Sequence, residues 1–283
     1  MGQIDLHVHS TASDGKFTPE EIVGKAAGLG LKVMALTDHD SIEGIVPALK
    51  AARAFPNLKV IPGVEISTDM PEGQAHVLGY FIDFHGGELK AALERFRNSR
   101  ERRAQGMVNK LHDLGIDIEW KRVQEIAGEG SVGRPHIAQA MLEKEYISSF
   151  NEAFNKYIGQ DGPAYVERDK MTPVEAVRLI KQGKGLPVLA HPFTINGPET
   201  MIPGLKEAGL IGIEAYYKDY SPDEIDTLVR LAEKHDLIVT GGTDYHGIEN
   251  RNEVMLGGVD VPLESVEKLI AIADKEMLKL AGQ

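Results

Sequence analysis

The spacing of apolar and polar positions divides the chain into three stretches. In the first, short apolar runs alternate with amphipathic segments. Ile4–Val8 and residues 33–37, 60–65 and 76–81 have the length and content of buried strands. After the first of these, Thr18, Pro19 and Glu21 take the N-cap, first and third positions of a predicted helix ending near residues 28–30. The cap hydroxyl accepts a first-turn backbone N–H, and the Glu carboxylate accepts the cap's own N–H. Another helix is predicted over 42–54. Repeated strand–helix units imply a parallel sheet or barrel.

The character changes at about residue 86. Residues 89–114 form a long, charged, periodic segment with Arg95, Arg97, Arg100, Arg102 and Arg103 close together. Shorter helices are predicted over 121–127, 134–142 and 148–157. The alternation then returns. Thr172, Pro173 and Glu175 repeat the cap pattern, strands are predicted over 186–190, 212–215 and 237–240, and another helix opens at Ser221. A final helix covers 263–280. The expected organisation is a barrel from residues 1–85 and 165–283, interrupted by a helical insertion over 86–164.

Composition narrows the chemistry. The chain holds 283 residues with a formal charge of −12, from 31 basic and 43 acidic side chains. An acidic chain does not coat nucleic acid, so no extended nucleic-acid surface is expected. A short oligonucleotide end could still bind where cations are concentrated in one cleft. There is no cysteine, so any metal must sit on nitrogen and oxygen ligands. No basic segment followed by an apolar run opens the sequence, and no apolar stretch is long enough for a membrane span. These features fit a cytoplasmic protein with no membrane partner.

Candidate chemistry gathers where strands end. His7 and His9 are two apart in a strand and point to one face; alone, such a pair fits solvated surface histidines as well as a metal site. Asp14 precedes a glycine just past that strand, where turn chemistry is the ordinary explanation. Asp38 and His39 end the second strand. Asp40 and Ser41 beside them fit an Asx turn capping the next helix. Glu65 ends an apolar strand, where a carboxylate is costly to bury unless paired or bound to metal. His76 opens a strand and His191 follows one. Asp244 and His246, again two apart, follow the last strand, after glycines that let the backbone bend. Six of the ten histidines lie at or near strand ends, and barrel enzymes build their sites at the carboxyl ends of their strands. Nine candidate ligands exceed what one ion needs, so two or three are expected.

The ordered set H-x-H, S-D-G, T-D-H-D, G-x-E, H, H-P and D-x-H resembles the PHP (polymerase and histidinol phosphatase) family, a relative of the amidohydrolases. The resemblance implies an α/β fold, a distorted (β/α)7 barrel, carrying a metal-dependent phosphoesterase. It implies one ion on His7, His9, Glu65 and Asp244, a second shared by Glu65 with His76 and His191, and a third on Asp14, His39 and His246. Such ligands suit Mn²⁺, Fe²⁺ or Zn²⁺. Gly133, Arg134, Pro135 and His136, with Ala138, resemble a segment of stand-alone members of the family. These include 3',5'-nucleotide bisphosphate phosphatases and exonucleases acting on 5' ends of short RNA. The likeness implies that Arg134 and His136 bind substrate phosphate and that the insertion covers the metal cleft; without it, Arg134 reads as a surface residue opening a helix. Asp38, His136 or a metal-bound water are candidates to protonate the leaving group. Histidinol-phosphate phosphatase is the alternative enzyme, and a non-catalytic metal-binding PHP scaffold the alternative of another class.

Overall fold

The computed structural model describes residues 2–70, 73–128, 132–167, 171–247 and 254–281. The side chains of Arg97 and Arg100 lie outside the described residues. The chain divides into two compact units, residues 1–91 with 170–283, and residues 92–169.

The first unit is an α/β barrel. Among the described residues its strands are β1 (Ile4–Val8), β2 (Val33–Leu36), β3 (Lys59–Asp69), β4 (Gln74–Tyr80), β5 (Leu186–Leu189), β6 (Gly212–Tyr217) and β7 (Ile238–Gly242), joined in that spatial order. Closure runs through the segment after β7. Tyr245 accepts from His9 N at 2.9 Å and donates to the carbonyl of His7 at 3.2 Å. Gly242 is required at this seam, because a Cβ there would lie 2.5 Å from the backbone nitrogen and Cβ of His7. Close approach to β1, not a sharp bend, is what demands that glycine.

One expectation is corrected. The sheet is mixed: β4 runs antiparallel to both β3 and β5. The link from Asp69 to Gln74 is short, whereas a parallel connection needs a crossover of a dozen or so residues. The reversal brings the first residues of β4, including His76, to the barrel end where the parallel strands finish.

The helices of this unit are α1 (Pro19–Gly28), α2 (Ile45–Ala52), α7 (Pro173–Gln182), α8 (Ile202–Ala208), α9 (Pro222–Lys234) and α10 (Leu263–Ala281). The predicted capping boxes form at Thr18 with Glu21 and Thr172 with Glu175, and a third forms at Ser221 with Glu224. Helix α2 is capped by Gly44 with no side-chain bond. Asp40 instead accepts the backbone N–H of Ser67 at 3.0 Å, tying its loop to β3. One apolar cluster packs Ile4, Leu6, Ile61 and Val188 with Val266 and Leu269 of α10. Another packs Val8, Met34, Leu36 and Val60 against Ile22 and Val23 of α1. Burying each such side chain contributes about 1.5–3 kcal/mol.

The second unit is helical, with most of α3 (Glu88–Asp113), α4 (Trp120–Ala127), α5 (Arg134–Glu143), α6 (Phe150–Ala153) and one π-helical turn, Phe154–Ile158. It has its own core, in which Met107, Leu111, Val123, Ile137, Met141 and Ile158 are buried. No described helix is long and apolar enough to cross a membrane.

Candidate metal centre

The barrel brings all nine expected ligands to one end. His7 and His9 project from β1 and the residues after it. Asp14 follows on the next loop. His39 follows β2 and forms an isolated bridge to Glu65 within β3. His76 is the third residue of β4, His191 follows β5, and the seam places Asp244 and His246 beside His7 and His9.

Glu65 is the centre of the cluster and is fully buried. One oxygen, Oε1, lies 2.8 Å from His76 Nδ1 and 3.1 Å from His191 Nε2. The other, Oε2, lies 3.1 Å from His7 Nε2, 3.3 Å from His9 Nε2 and 3.1 Å from His39 Nδ1. Asp244 Oδ1 lies 3.1 Å from His9 Nε2 and 3.5 Å from His7 Nε2. Asp14 Oδ1 lies 3.3 Å from His246 Nε2, and its Oδ2 lies 3.9 Å from His39 Nε2. Three groups have ligand atoms mutually within 4.8 Å: His7, His9, Glu65 and Asp244; His9, Asp14, His39 and His246; and His39, Glu65 and His76. His191 enters through its contact with Glu65 Oε1.

The hydrogen-bond pattern is that of a cation site. His7 Nε2, both ring nitrogens of His9 and Glu65 Oε2 are buried without a hydrogen-bond partner, although Glu65 Oε2 lies 3.1 Å from His7 Nε2 and 3.3 Å from His9 Nε2. Leaving one buried polar group unsatisfied costs about 1–3 kcal/mol. Several orphaned together, with nitrogen and oxygen facing a common space, fit divalent ions of intermediate softness. Two of the ligands have strained backbone: His191 has φ 25° and Asp244 φ 50°, in a region non-glycine residues rarely occupy.

Charges alternate across the cluster in its ion-free form. Burial lowers the affinity of the His7 imidazole for a proton, but Glu214, Glu65 and Asp244 outweigh burial and hold its pKa well above the usual range. Burial is likewise outweighed at His9, where Asp244 and Glu65 raise the pKa to about 10. Burial would raise Glu65, yet His39, His7 and His76 hold it well below the carboxylate range. Asp244 is held low against burial by His7 and His9. At His39 burial wins, with His9 and His76 adding to it against Glu65 and Asp14, and its pKa falls to about 4.

The other expected site residues are placed differently. Asp38 is buried, and its carboxylate accepts from Ser10 N at 2.6 Å, Ser10 Oγ at 2.8 Å and Ser13 Oγ at 2.8 Å. It thereby fixes the loop that leads to Asp14. Arg134 and His136 open α5 in the helical unit. His136 Nδ1 accepts the backbone N–H of Gly133 at 3.0 Å, and the Arg134 guanidinium lies 5.3 Å from the ring centre of Phe154.

Sequence reasoning missed four polar groups around the ligands: Asp5, Glu214, Tyr217 and Lys218. Glu214 interrupts the apolar run of β6 and is fully buried. The reasoning that singled out Glu65, that a carboxylate in an apolar strand needs a partner, applied to it equally.

The PHP domain pattern matches residues 5–146. A 5'-3' exoribonuclease of Haemophilus influenzae is 33% identical over 246 residues, which span 86% of this chain and 89% of that one. A 3',5'-nucleoside bisphosphate phosphatase of Chromobacterium violaceum is 31% identical over 256 residues, 87% of this chain and 88% of that one. The crystal structure of a candidate metal-dependent phosphoesterase from Bifidobacterium adolescentis superposes with a TM-score of 0.83 at 27% identity, covering 95% of each chain. With the strand-end cluster in place and sequence similarity running through most of its length, the chain belongs to the PHP domain family of metal-dependent phosphoesterases.

Proposed function

We propose that this protein hydrolyses the phosphate monoester of a nucleotide, either a 3',5'-bisphosphate or the 5' end of a short RNA, using two or three divalent ions. Mn²⁺, Fe²⁺ and Zn²⁺ are the candidates. The observation that carries the reading is the two-sided environment of Glu65, whose oxygens face separate sets of imidazoles. The names of the Haemophilus and Chromobacterium relatives support the substrate class.

Bound divalent ions supply Lewis acidity, which eases deprotonation of an attacking water and neutralises charge on the phosphoryl oxygens. The chain's own residues do the rest. Glu65 holds two sets of ligands in fixed relation. Asp38 organises the loop that carries Asp14, a positioning role in keeping with its three serine donors. Arg134 offers a planar guanidinium for bidentate contact with phosphate, and His136 is assigned a phosphate contact and is one candidate donor to the leaving oxygen.

The test is a screen of metal-loaded protein against adenosine 3',5'-bisphosphate, a 5'-phosphorylated RNA dinucleotide and histidinol phosphate. Release of inorganic phosphate from the first two is expected. Turnover of histidinol phosphate alone, or of none, contradicts the proposal.

A further inference from the structure

Strand β6 supplies none of the nine proposed ligands, yet it touches three of them. Glu214 Oε1 accepts from His7 Nδ1 at 3.0 Å. Its other oxygen accepts the backbone N–H of His191 at 2.9 Å. Three residues on, Tyr217 donates its hydroxyl to Asp244 Oδ2 at 2.9 Å. Lys218 Nζ lies 3.2 Å from that same oxygen and donates to the Asp244 carbonyl at 3.1 Å. Strict alternation along a strand would put Glu214 and Tyr217 on opposite faces. The register shifts between Glu214 and Tyr216. A bulge of this kind re-aims side chains beside active sites, and here both residues reach the cluster.

Each contact leaves one ligand atom facing inward. A carboxylate accepts, so His7 Nδ1 carries a hydrogen toward Glu214, and Nε2, beside Glu65 Oε2, is the ring nitrogen left to serve as a ligand once a cation displaces its proton. Tyr217 and Lys218 engage Oδ2 of Asp244, leaving Oδ1 toward His7 and His9. The bond to His191 N restrains a residue whose φ is 25°. We infer that Glu214 and Tyr217 are positioning residues. Strand β6 sets the tautomer and aim of ligands from three other parts of the barrel. Through Glu214 it also joins the ion position served by His7 to the one served by His191. The inference rests on the metal binding proposed above.

Glu214→Gln and Tyr217→Phe test it. The Gln amide can accept from only one of the two donors, and Phe removes one hydroxyl. Zn²⁺ affinity and stoichiometry are measured on metal-free wild type and both variants by competition with a chromophoric chelator, alongside the Tm of each metal-free form. Wild type is expected to bind two or three ions. Glu214→Gln should weaken binding about 10–100-fold, and Tyr217→Phe about tenfold, as losses of ligand-orienting groups do. The kcat of Glu214→Gln should fall with KM unchanged. If Glu214→Gln does not fold, Tyr217→Phe carries the test. Wild-type affinity and stoichiometry in the folded variants overturn the inference, even where the metal-free Tm drops, since a merely structural role would give that result. A wild type that binds no Zn²⁺ overturns the metal reading itself and the inference with it.

Discussion

Asp5 and Glu65 are both fully buried carboxylates on barrel strands, but their surroundings differ in kind. Asp5 is closed off by donors. Its Oδ1 accepts from Thr243 N at 2.9 Å and His7 N at 3.3 Å, and its Oδ2 from Thr243 Oγ1 at 2.6 Å and Gly257 N at 2.8 Å. These bonds latch the β7–β1 seam. Glu65 meets imidazole nitrogens instead, and its Oε2 has no hydrogen-bond donor. A buried acid therefore does not identify a metal site by itself. Fixed N–H and O–H groups around it make a structural latch; nitrogen lone pairs and other carboxylates make a ligand set.

The comparison breaks most readily at Glu65. Glu65→Gln should lower kcat by about a thousandfold, equivalent to several kcal/mol of transition-state stabilisation, and strip bound metal, while the metal-free Tm stays near wild type. Steady-state kinetics, metal analysis and calorimetry check the three parts. A lower metal-free Tm with metal content intact would make Glu65 another latch.

A smaller but cleaner effect comes from pH. In the ion-free protein the pKa of His9 is raised to about 10, above the range pH 6–8, and that of His7 is raised as well, so both rings favour bound protons. A cation must displace them, so apparent affinity should rise with pH, about tenfold per unit for each proton displaced. Calorimetric titrations in two buffers of different ionisation enthalpy should show proton release on binding; identical enthalpies would contradict it.

Asp5→Asn should do the opposite of Glu65→Gln. It should cost about 2–3 kcal/mol of stability, because Gly257 N and Thr243 lose a common acceptor. Metal-free protein unfolded in urea reads this, with metal stoichiometry expected to be unchanged. The smallest effect is expected outside the barrel. Arg134→Ala should raise KM about tenfold through loss of a charge-assisted phosphate contact and leave metal content intact. Unaltered kinetics would remove Arg134 from the substrate site.

Much of this was legible in the chain. The apolar runs located all seven strands, β1 with its observed limits, and the Thr18, Thr172 and Ser221 caps marked three helix starts. The ligands were legible as well, because strand ends are where an unexplained His or Asp stands out. Strand direction was not. The pattern of 76–81 is the same for either sense, and only the short link before Gln74 reveals the hairpin. Glu214 and Tyr217 escaped notice because their importance comes from a register shift that no periodicity encodes. Asp40 and Ser41 read as a cap, yet Asp40 pairs with Ser67, a contact between segments far apart in sequence.

The central claim is that side chains from six of the strands and the segments that follow them form one pocket for several cations with Glu65 between them. Native mass spectrometry of metal-free protein titrated with Mn²⁺ tests it directly. Two or three ions per chain in the wild type, and fewer in Glu65→Gln, are predicted. No bound ion, or the same number in both proteins, would contradict it.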